Sequence, residues 1–217
     1  MFLGHFGLGF AAKKLYHQPS LGTMFLASQW LDLIWPVFLL LGIEKVRIDP
    51  GNTAFTPLDF VYYPFTHGFL SVVIWGALFG GIYFIIKNNA KGALLLFGLV
   101  ISHWILDWIT HRPDLPLIPG SEMKAGLGLW NSITVTIIIE GLIFIGGVFL
   151  YIKTTNAENR KGSIGLWSLI IFFVMIYIMN LLGPPPPSEE PIAYIGLAQW
   201  LFVIWAYWID GNRKTRS

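Results

Sequence analysis

Cysteine is absent from the 217-residue sequence, and charged residues make up only 12% of it. Without cysteine, the chain can form neither disulfides nor thiolate zinc sites. A typical soluble domain carries about 25% charged residues, whereas 55% of this chain is hydrophobic. The formal net charge of +2 is too small to indicate a protein that binds nucleic acid. The composition therefore predicts an integral membrane protein with no nucleic-acid partner.

Long hydrophobic runs dominate the sequence, and six of them reach the ~20 apolar residues that a spanning helix needs. They predict an all-α, polytopic transmembrane helix bundle of about six spans, in a single domain covering residues 1–217. A shorter apolar stretch, 2–12, precedes them. It is expected to form a half-length helix rather than a cleaved signal peptide, because no positive region comes before it. The predicted spans are 21–43, 64–86, 91–111, 130–152, 164–183 and 192–209.

Lysine and arginine are distributed unevenly between the two ends of this predicted bundle. Ten of the 14 lie on the side that holds Lys13, Lys14 and the C-terminus, and the other four lie on the opposite side. Because cytoplasmic loops are enriched in basic residues, both termini are expected to be cytoplasmic, in a prokaryotic-type inner or plasma membrane. Loops 44–63, 112–129 and 184–191 are then expected outside. Asp59 is interpreted as a solvated turn residue there.

Ionisable residues are rare inside the apolar segments, and each costs roughly 2.5–3.5 kcal/mol to insert. They therefore need a partner, a cavity or a function. With a helical rise of ~1.5 Å per residue, most of them fall about 13–24 Å above the basic end, and His67 falls nearer the outer surface. These residues are His5, Asp32, His67, His103, Asp107 and Glu140.

The sharpest local pattern is formed by His103 and Asp107, four residues apart on one predicted helix, with His111 one turn further along. Side chains at this spacing share a helical face. Imidazole and carboxylate suit zinc, and manganese or iron are alternatives. The pattern predicts one or two divalent metal ions. The alternatives are a buried ion pair of Asp32 with His67 that fixes packing, and a proton or ion pathway through Glu140.

Four short motifs follow one another along the chain: Gly4-His5, then Asp32, then Phe65-Thr66-His67, then Ser102 to Asp107. In this order they resemble the inner-membrane-associated metal-dependent hydrolases, a family distantly similar to the zinc-dependent phospholipase C and P1 nuclease group. The resemblance covers roughly residues 1–140.

The resemblance implies specific metal ligands by their order in the chain. A principal zinc would be held by Asp32, His67, His103 and Asp107. A second zinc, which in the phospholipase C group also uses the mature N-terminus, would be held by His5 together with Asp107.

The resemblance also implies a hydrolase of phosphoesters, and the depth of the site favours a lipid-like substrate in a pocket open to the outer side. Membrane lipid is the expected partner, and the oligomeric state is left open. Glu140 is the candidate general base, and Arg112 at the mouth is a candidate for a bidentate phosphate contact. His111 and Asp114 complete the candidate catalytic set, although Arg112 and Asp114 could equally form a plain loop salt bridge.

Two other classes of function stay open at this point. One is a metal-ion or proton transporter or channel, which would also line a cavity with histidine and carboxylate side chains. The other is a non-catalytic membrane subunit whose polar core fixes helix packing. The cytoplasmic half of the spans is almost purely apolar below Asp32, which favours a pocket with access from one side only.

Overall fold

The computed structural model describes residues 1–216 and is an α-helical bundle, which confirms the predicted fold class. Within these residues, five helical stretches are long and apolar enough to cross a membrane, and one bent helix pair brings the number to six. The helices are α1 (Phe2–Leu15), α2 (Leu21–Ser28), α3 (Trp30–Leu40), α4 (Pro64–His67), α5 (Phe69–Lys87), α6 (Ala90–Thr110), α7 (Ile133–Thr154), α8 (Arg160–Leu182), α9 (Glu190–Ala198) and α10 (Trp200–Asp210). The long stretches are α5, α6, α7, α8 and the α9–α10 pair.

The first predicted span, 21–43, is broken into α2 and α3, which meet at an angle of 54°. Gln29 lies at the break with φ −106° and ψ 2°, outside the helical region. Two turns later, Pro36 lies inside α3 and has no N–H to donate to the carbonyl of Asp32. The hydropathy of the run gave no sign of this bend, because the residues on both sides of it are predominantly apolar.

The second predicted span, 64–86, is also interrupted. The four-residue helix α4 ends at Gly68, whose extended backbone (φ −65°, ψ 133°) separates it from α5. His67 is the last residue of α4 and is therefore not held on the long helix. This break places His67 deeper than its residue count along a continuous span had predicted.

The first helix, α1, lies inside the bundle and packs against α2, α6, α7 and α8. Its 14 residues are about 21 Å long, too short to span the bilayer. The closest approach is between α1 and α7, where Gly7 faces Gly147. A side chain on either glycine would run into the backbone of the other helix. This contact fixes the height of α1, and with it the position of His5.

Gly147→Val is expected to destabilise the protein, because the new side chain would overlap the backbone of Gly7. Overpacking of this kind typically costs about 1–3 kcal/mol, which corresponds to roughly 2–4 °C in melting temperature per kcal/mol for a protein of this size. Gly146→Val is the matched control, since a Cβ at Gly146 meets no atom within 4 Å. Thermal unfolding of the two variants in detergent checks the prediction, and equal melting temperatures would contradict it.

Short two-stranded antiparallel sheets order the connecting segments at the two ends of the bundle. On the site side, β1 (Lys45–Ile48) pairs with β2 (Leu58–Tyr62), and β3 (Leu115–Pro116) pairs with β4 (Lys124–Ala125). At the basic end, β5 (Thr155–Ala157) pairs with β6 (Arg213–Thr215). There Lys13 Nζ also lies 2.9 Å from Asp210 Oδ2. The C-terminal strand is thus at the basic end, and Met1 lies at the other end of α1, beside Asp107.

Candidate metal centre

Four side chains from three parts of the fold converge at one point, and we call them the four-residue cluster: Asp32, His67, His103 and Asp107. Asp32 Oδ1 lies 3.4 Å from His67 Nε2 and 3.7 Å from His103 Nε2. Asp107 Oδ2 lies 3.1 Å from His103 Nε2 and 3.8 Å from His67 Nε2. Ligand atoms about 2.1 Å from a tetrahedral zinc lie roughly 3.4 Å apart. The four histidine–aspartate spacings bracket this value, so these distances suit a zinc ion.

A backbone carbonyl orients the ring of His103 from the side away from the four-residue cluster. Its Nδ1 lies 2.7 Å from the carbonyl oxygen of Ser28, next to the bend between α2 and α3. A carbonyl oxygen can only accept, so Nδ1 carries the hydrogen and the Nε2 of the neutral ring carries a lone pair. That Nε2 is buried and makes no hydrogen bond. An unpaired buried acceptor is costly, and a metal ion would satisfy it.

His5 lies beside the four-residue cluster, on α1. Its ring stacks on that of His103 with 3.6 Å between centroids, and its Nε2 lies 3.1 Å from Asp107 Oδ1. The backbone nitrogen of Met1 lies 2.8 Å from the same oxygen. His5, His103 and Asp107 form a second group of closely spaced donors that shares two members with the first. The geometry therefore has room for the predicted second ion only as a close neighbour of the first.

Glu140 on α7 is fully buried and contacts the start of α1. Its Oε2 accepts the backbone N–H of Leu3 at 2.9 Å. A negatively charged carboxylate at the N-terminus of a helix interacts favourably with the helix dipole. Its Oε1 is buried without a hydrogen-bond partner in the described chain. Glu140 thus holds the start of α1 with one oxygen, has no hydrogen bond to the other, and is among the residues that line the cavity.

The loop after α6 places the remaining candidates of the catalytic set. His111 Nδ1 lies 3.0 Å from Asp114 Oδ1 and 3.2 Å from the hydroxyl of Tyr63. Arg112 donates to Asp114 at 2.9 Å and to Asp59 at 2.5 Å. Its Nε and Nη2 atoms are therefore both used to bond carboxylates. The salt-bridge alternative for Arg112 is the one that the geometry favours.

Asp59 differs from its expected role as a solvated turn residue. It lies on β2, its exposed fraction is 5%, and it bonds both Arg47 and Arg112. This ion-pair network ties the β1–β2 hairpin to the loop after α6. These ion pairs lie at the end of the bundle opposite the basic residues.

Asp114→Asn is expected to lower the melting temperature at pH 7 and to have progressively less effect as the pH falls below about 4. Burial raises the pKa of the Asp114 carboxyl, but hydrogen bonds from His111 and Arg112 outweigh burial and hold the pKa below its usual value. A carboxylate with a lowered pKa stabilises the fold above its unfolded pKa and loses that contribution as the pH falls through the folded value. Melting curves against pH check this, with Asp49→Asn at an exposed position as the control. An equal loss at pH 7 and pH 3 would contradict it.

A cavity of about 510 Å³ leads to the cluster from the end of the bundle opposite the basic residues. Asp32, His67, Asp107 and Glu140 form its polar part, and His111 also lines it. Its walls are otherwise apolar and aromatic, and come from loop 50–60, the proline-rich linker after α8, and α9. The apolar lining residues include Phe55, Phe60, Trp130, Met179, Ile192 and Ile195. One continuous space thus joins ionisable groups to a hydrophobic wall.

Two contributions to the site were invisible in the sequence. The carbonyl of Ser28 is a backbone group, and no residue pattern marks it. Glu44 is buried and bonds Thr66 beside His67, although it is 22 residues away in sequence. The one sequence signal for Glu44 was its position as a carboxylate directly after the predicted span 21–43.

A family model described as YdjM inner membrane protein matches residues 2–183. No curated protein and no solved structure matches the chain. The matched segment runs from α1 to the end of α8 and contains every candidate metal ligand, while α9 and α10 lie beyond it. The family description names the inner membrane and no enzymatic activity. It therefore supports the predicted membrane location and does not support the resemblance to hydrolases.

Proposed function

The chain belongs to the YdjM inner membrane protein family, and from this premise we propose that it is a membrane-embedded, metal-dependent hydrolase of a lipid-like phosphoester. The observation that carries the proposal is the 3.1–3.8 Å spacing between histidine nitrogens and aspartate oxygens of the four-residue cluster, at the polar end of a cavity. Two imidazole and two carboxylate donors favour zinc, with manganese or iron as alternatives. One ion is proposed at the cluster, with a second beside His5.

The chemistry would divide between the ion and the protein. A divalent ion in the cluster would polarise a phosphoryl oxygen and lower the pKa of a coordinated water from 15.7 to about 7. Glu140 lines the cavity, has one carboxylate oxygen without a hydrogen-bond partner and is the proposed general base. His111, whose ring is held by Asp114, is the proposed proton donor to the leaving group. Arg112 is given no role in binding phosphate.

The shape of the cavity supports an amphipathic substrate. A phosphoester headgroup would meet the ionisable residues, and an apolar chain would lie along Phe55, Trp130 and Ile195. Its volume of about 510 Å³ is within the usual range for small-molecule sites. By the distribution of lysine and arginine, we place the basic end in the cytoplasm and the mouth of the cavity on the outer side.

A transporter would need a route from the cluster to the basic end. Between them lies a closely packed aromatic layer that includes Phe6, Phe10, Phe25, Phe144 and Tyr151, all buried. The ring centroids of Phe6 and Phe25 are 5.0 Å apart, and those of Phe10 and Phe25 are 4.8 Å apart. This layer favours access from one side, as a hydrolase requires.

The proposal is tested by incubating the purified, metal-loaded protein with vesicles that contain lipid phosphomonoesters and phosphodiesters. Released phosphate and neutral lipid are measured by mass spectrometry. Hydrolysis that stops on chelation and returns with zinc is the expected result. If the metal-loaded protein hydrolyses none of these lipids, the hydrolase proposal fails.

A further inference from the structure

A buried carboxylate outside the four-residue cluster is connected to it through one hydroxyl group. Glu44 follows α3 in the chain, and its exposed fraction is 1%. Its Oε1 accepts the backbone N–H groups of Phe65 and Thr66, both at 2.8 Å, at the start of α4. Its Oε2 accepts the hydroxyl of Thr66 at 2.6 Å. The same hydroxyl oxygen lies 2.7 Å from Nδ1 of His67.

The direction of these hydrogen bonds determines which nitrogen of His67 faces the cluster. A carboxylate can only accept, so the hydroxyl hydrogen of Thr66 points to Glu44. The Thr66 oxygen must then accept the hydrogen on Nδ1 of His67. This leaves Nε2 of the neutral ring with a lone pair, 3.4 Å from Asp32 Oδ1. The chain from Glu44 through Thr66 thus presents a metal-binding nitrogen to the site.

We propose that Glu44 and Thr66 are positioning residues that fix the tautomer and orientation of His67 for metal binding. This inference rests on the proposed metal centre. It makes His67 the counterpart of His103, whose Nδ1 is held by the carbonyl of Ser28. Outer partners of this kind orient ligating histidines, and their loss typically weakens metal binding 10–100-fold.

A purely structural reading is that Glu44 caps the short helix α4. The cap uses only Oε1, and the contact of Oε2 with the Thr66 hydroxyl is separate from it. Variants can therefore remove the link to His67 and keep the cap. The two readings predict different effects on metal affinity.

Thr66→Val keeps the shape of the side chain and removes the hydroxyl. It is expected to weaken zinc binding about 10–100-fold, whereas Thr66→Ser, which restores the hydroxyl, is expected to bind within about threefold of wild type. Thr136→Val is the matched control, since Thr136 is also fully buried and its hydroxyl bonds only backbone carbonyls of Leu129 and Ser132. It is expected to lose stability without losing zinc affinity.

Glu44→Gln gives a second test that preserves the cap. Its side-chain oxygen can still accept both backbone N–H groups, while its NH₂ group would donate to the Thr66 oxygen. The Thr66 hydroxyl would then donate to Nδ1 of His67 and move the ring hydrogen to Nε2, which points at the site. A weakening of zinc binding similar to that of Thr66→Val is expected, with a changed tautomer of His67 in ¹⁵N NMR spectra of the metal-free protein.

Zinc affinity is measured by competition with a chromophoric chelator on the full-length protein in detergent, together with the melting temperature of the metal-free form. If wild type binds zinc and Thr66→Val binds it as tightly, the positioning role is wrong even though the metal centre stands. If wild type itself binds no zinc, manganese or iron, both the proposed function and the positioning role of Glu44 and Thr66 are wrong.

Discussion

Replacing His103 with alanine is expected to weaken metal binding by at least about 100-fold. His103 belongs to both groups of closely spaced donors, so its loss removes a ligand from each. The effect should exceed the 10–100-fold typical of an outer partner, because a donor to the metal itself is lost. Competition titration with a chromophoric chelator gives the affinity.

His17→Ala is the matched control for this experiment. The substitution is the same, but His17 lies at an exposed position after α1 and outside the cluster. It is expected to bind metal like wild type. Unchanged metal affinity in His103→Ala would show that His103 is a packing residue that hydrogen-bonds Ser28. The proposed metal centre would then be wrong.

Asp107→Asn is expected to reduce lipid phosphoester hydrolysis by at least about 1,000-fold. Asp107 contacts His5 with one oxygen, and lies near His67 and His103 with the other. A metal ion supplies several kcal/mol of transition-state stabilisation, and a loss of about 4 kcal/mol corresponds to roughly three powers of ten in rate. The rate constant is measured on the vesicle lipids that wild type hydrolyses.

The control for Asp107→Asn is Asp49→Asn, the same change at an exposed turn position, which should keep the wild-type rate. Restoring activity in Asp107→Asn with excess zinc would identify a loss of affinity alone. Activity near wild type in Asp107→Asn without added metal would contradict the assignment of Asp107 to the centre.

The sequence predicted those features that depend on local periodicity and hydropathy. The predicted spans 91–111, 130–152 and 164–183 correspond to α6, α7 and α8 within about four residues. The i, i+4 spacing of His103 and Asp107 placed both on one face of α6, where their side chains lie 3.1 Å apart. The estimated depth of His5 could be counted along one regular helix, α1, from the basic residues at its end.

The features that could not be predicted depend on interruptions of helices and on backbone groups. His67 reaches the cluster because the chain breaks at Gly68, which a count along a continuous span does not include. The bend at Gln29 brings the Ser28 carbonyl to His103. The contribution of α9 to the cavity depends on how α9 packs against α3, a long-range contact with no signature in either segment.

The most direct test of the metal centre is elemental analysis of the wild-type protein purified in detergent without added metal and then after reconstitution with zinc, manganese or iron. The four-residue cluster predicts about one equivalent of a divalent ion, or two if the donors around His5 are also filled. Protein that contains less than about a tenth of an equivalent after reconstitution with each of the three metals would contradict the central claim.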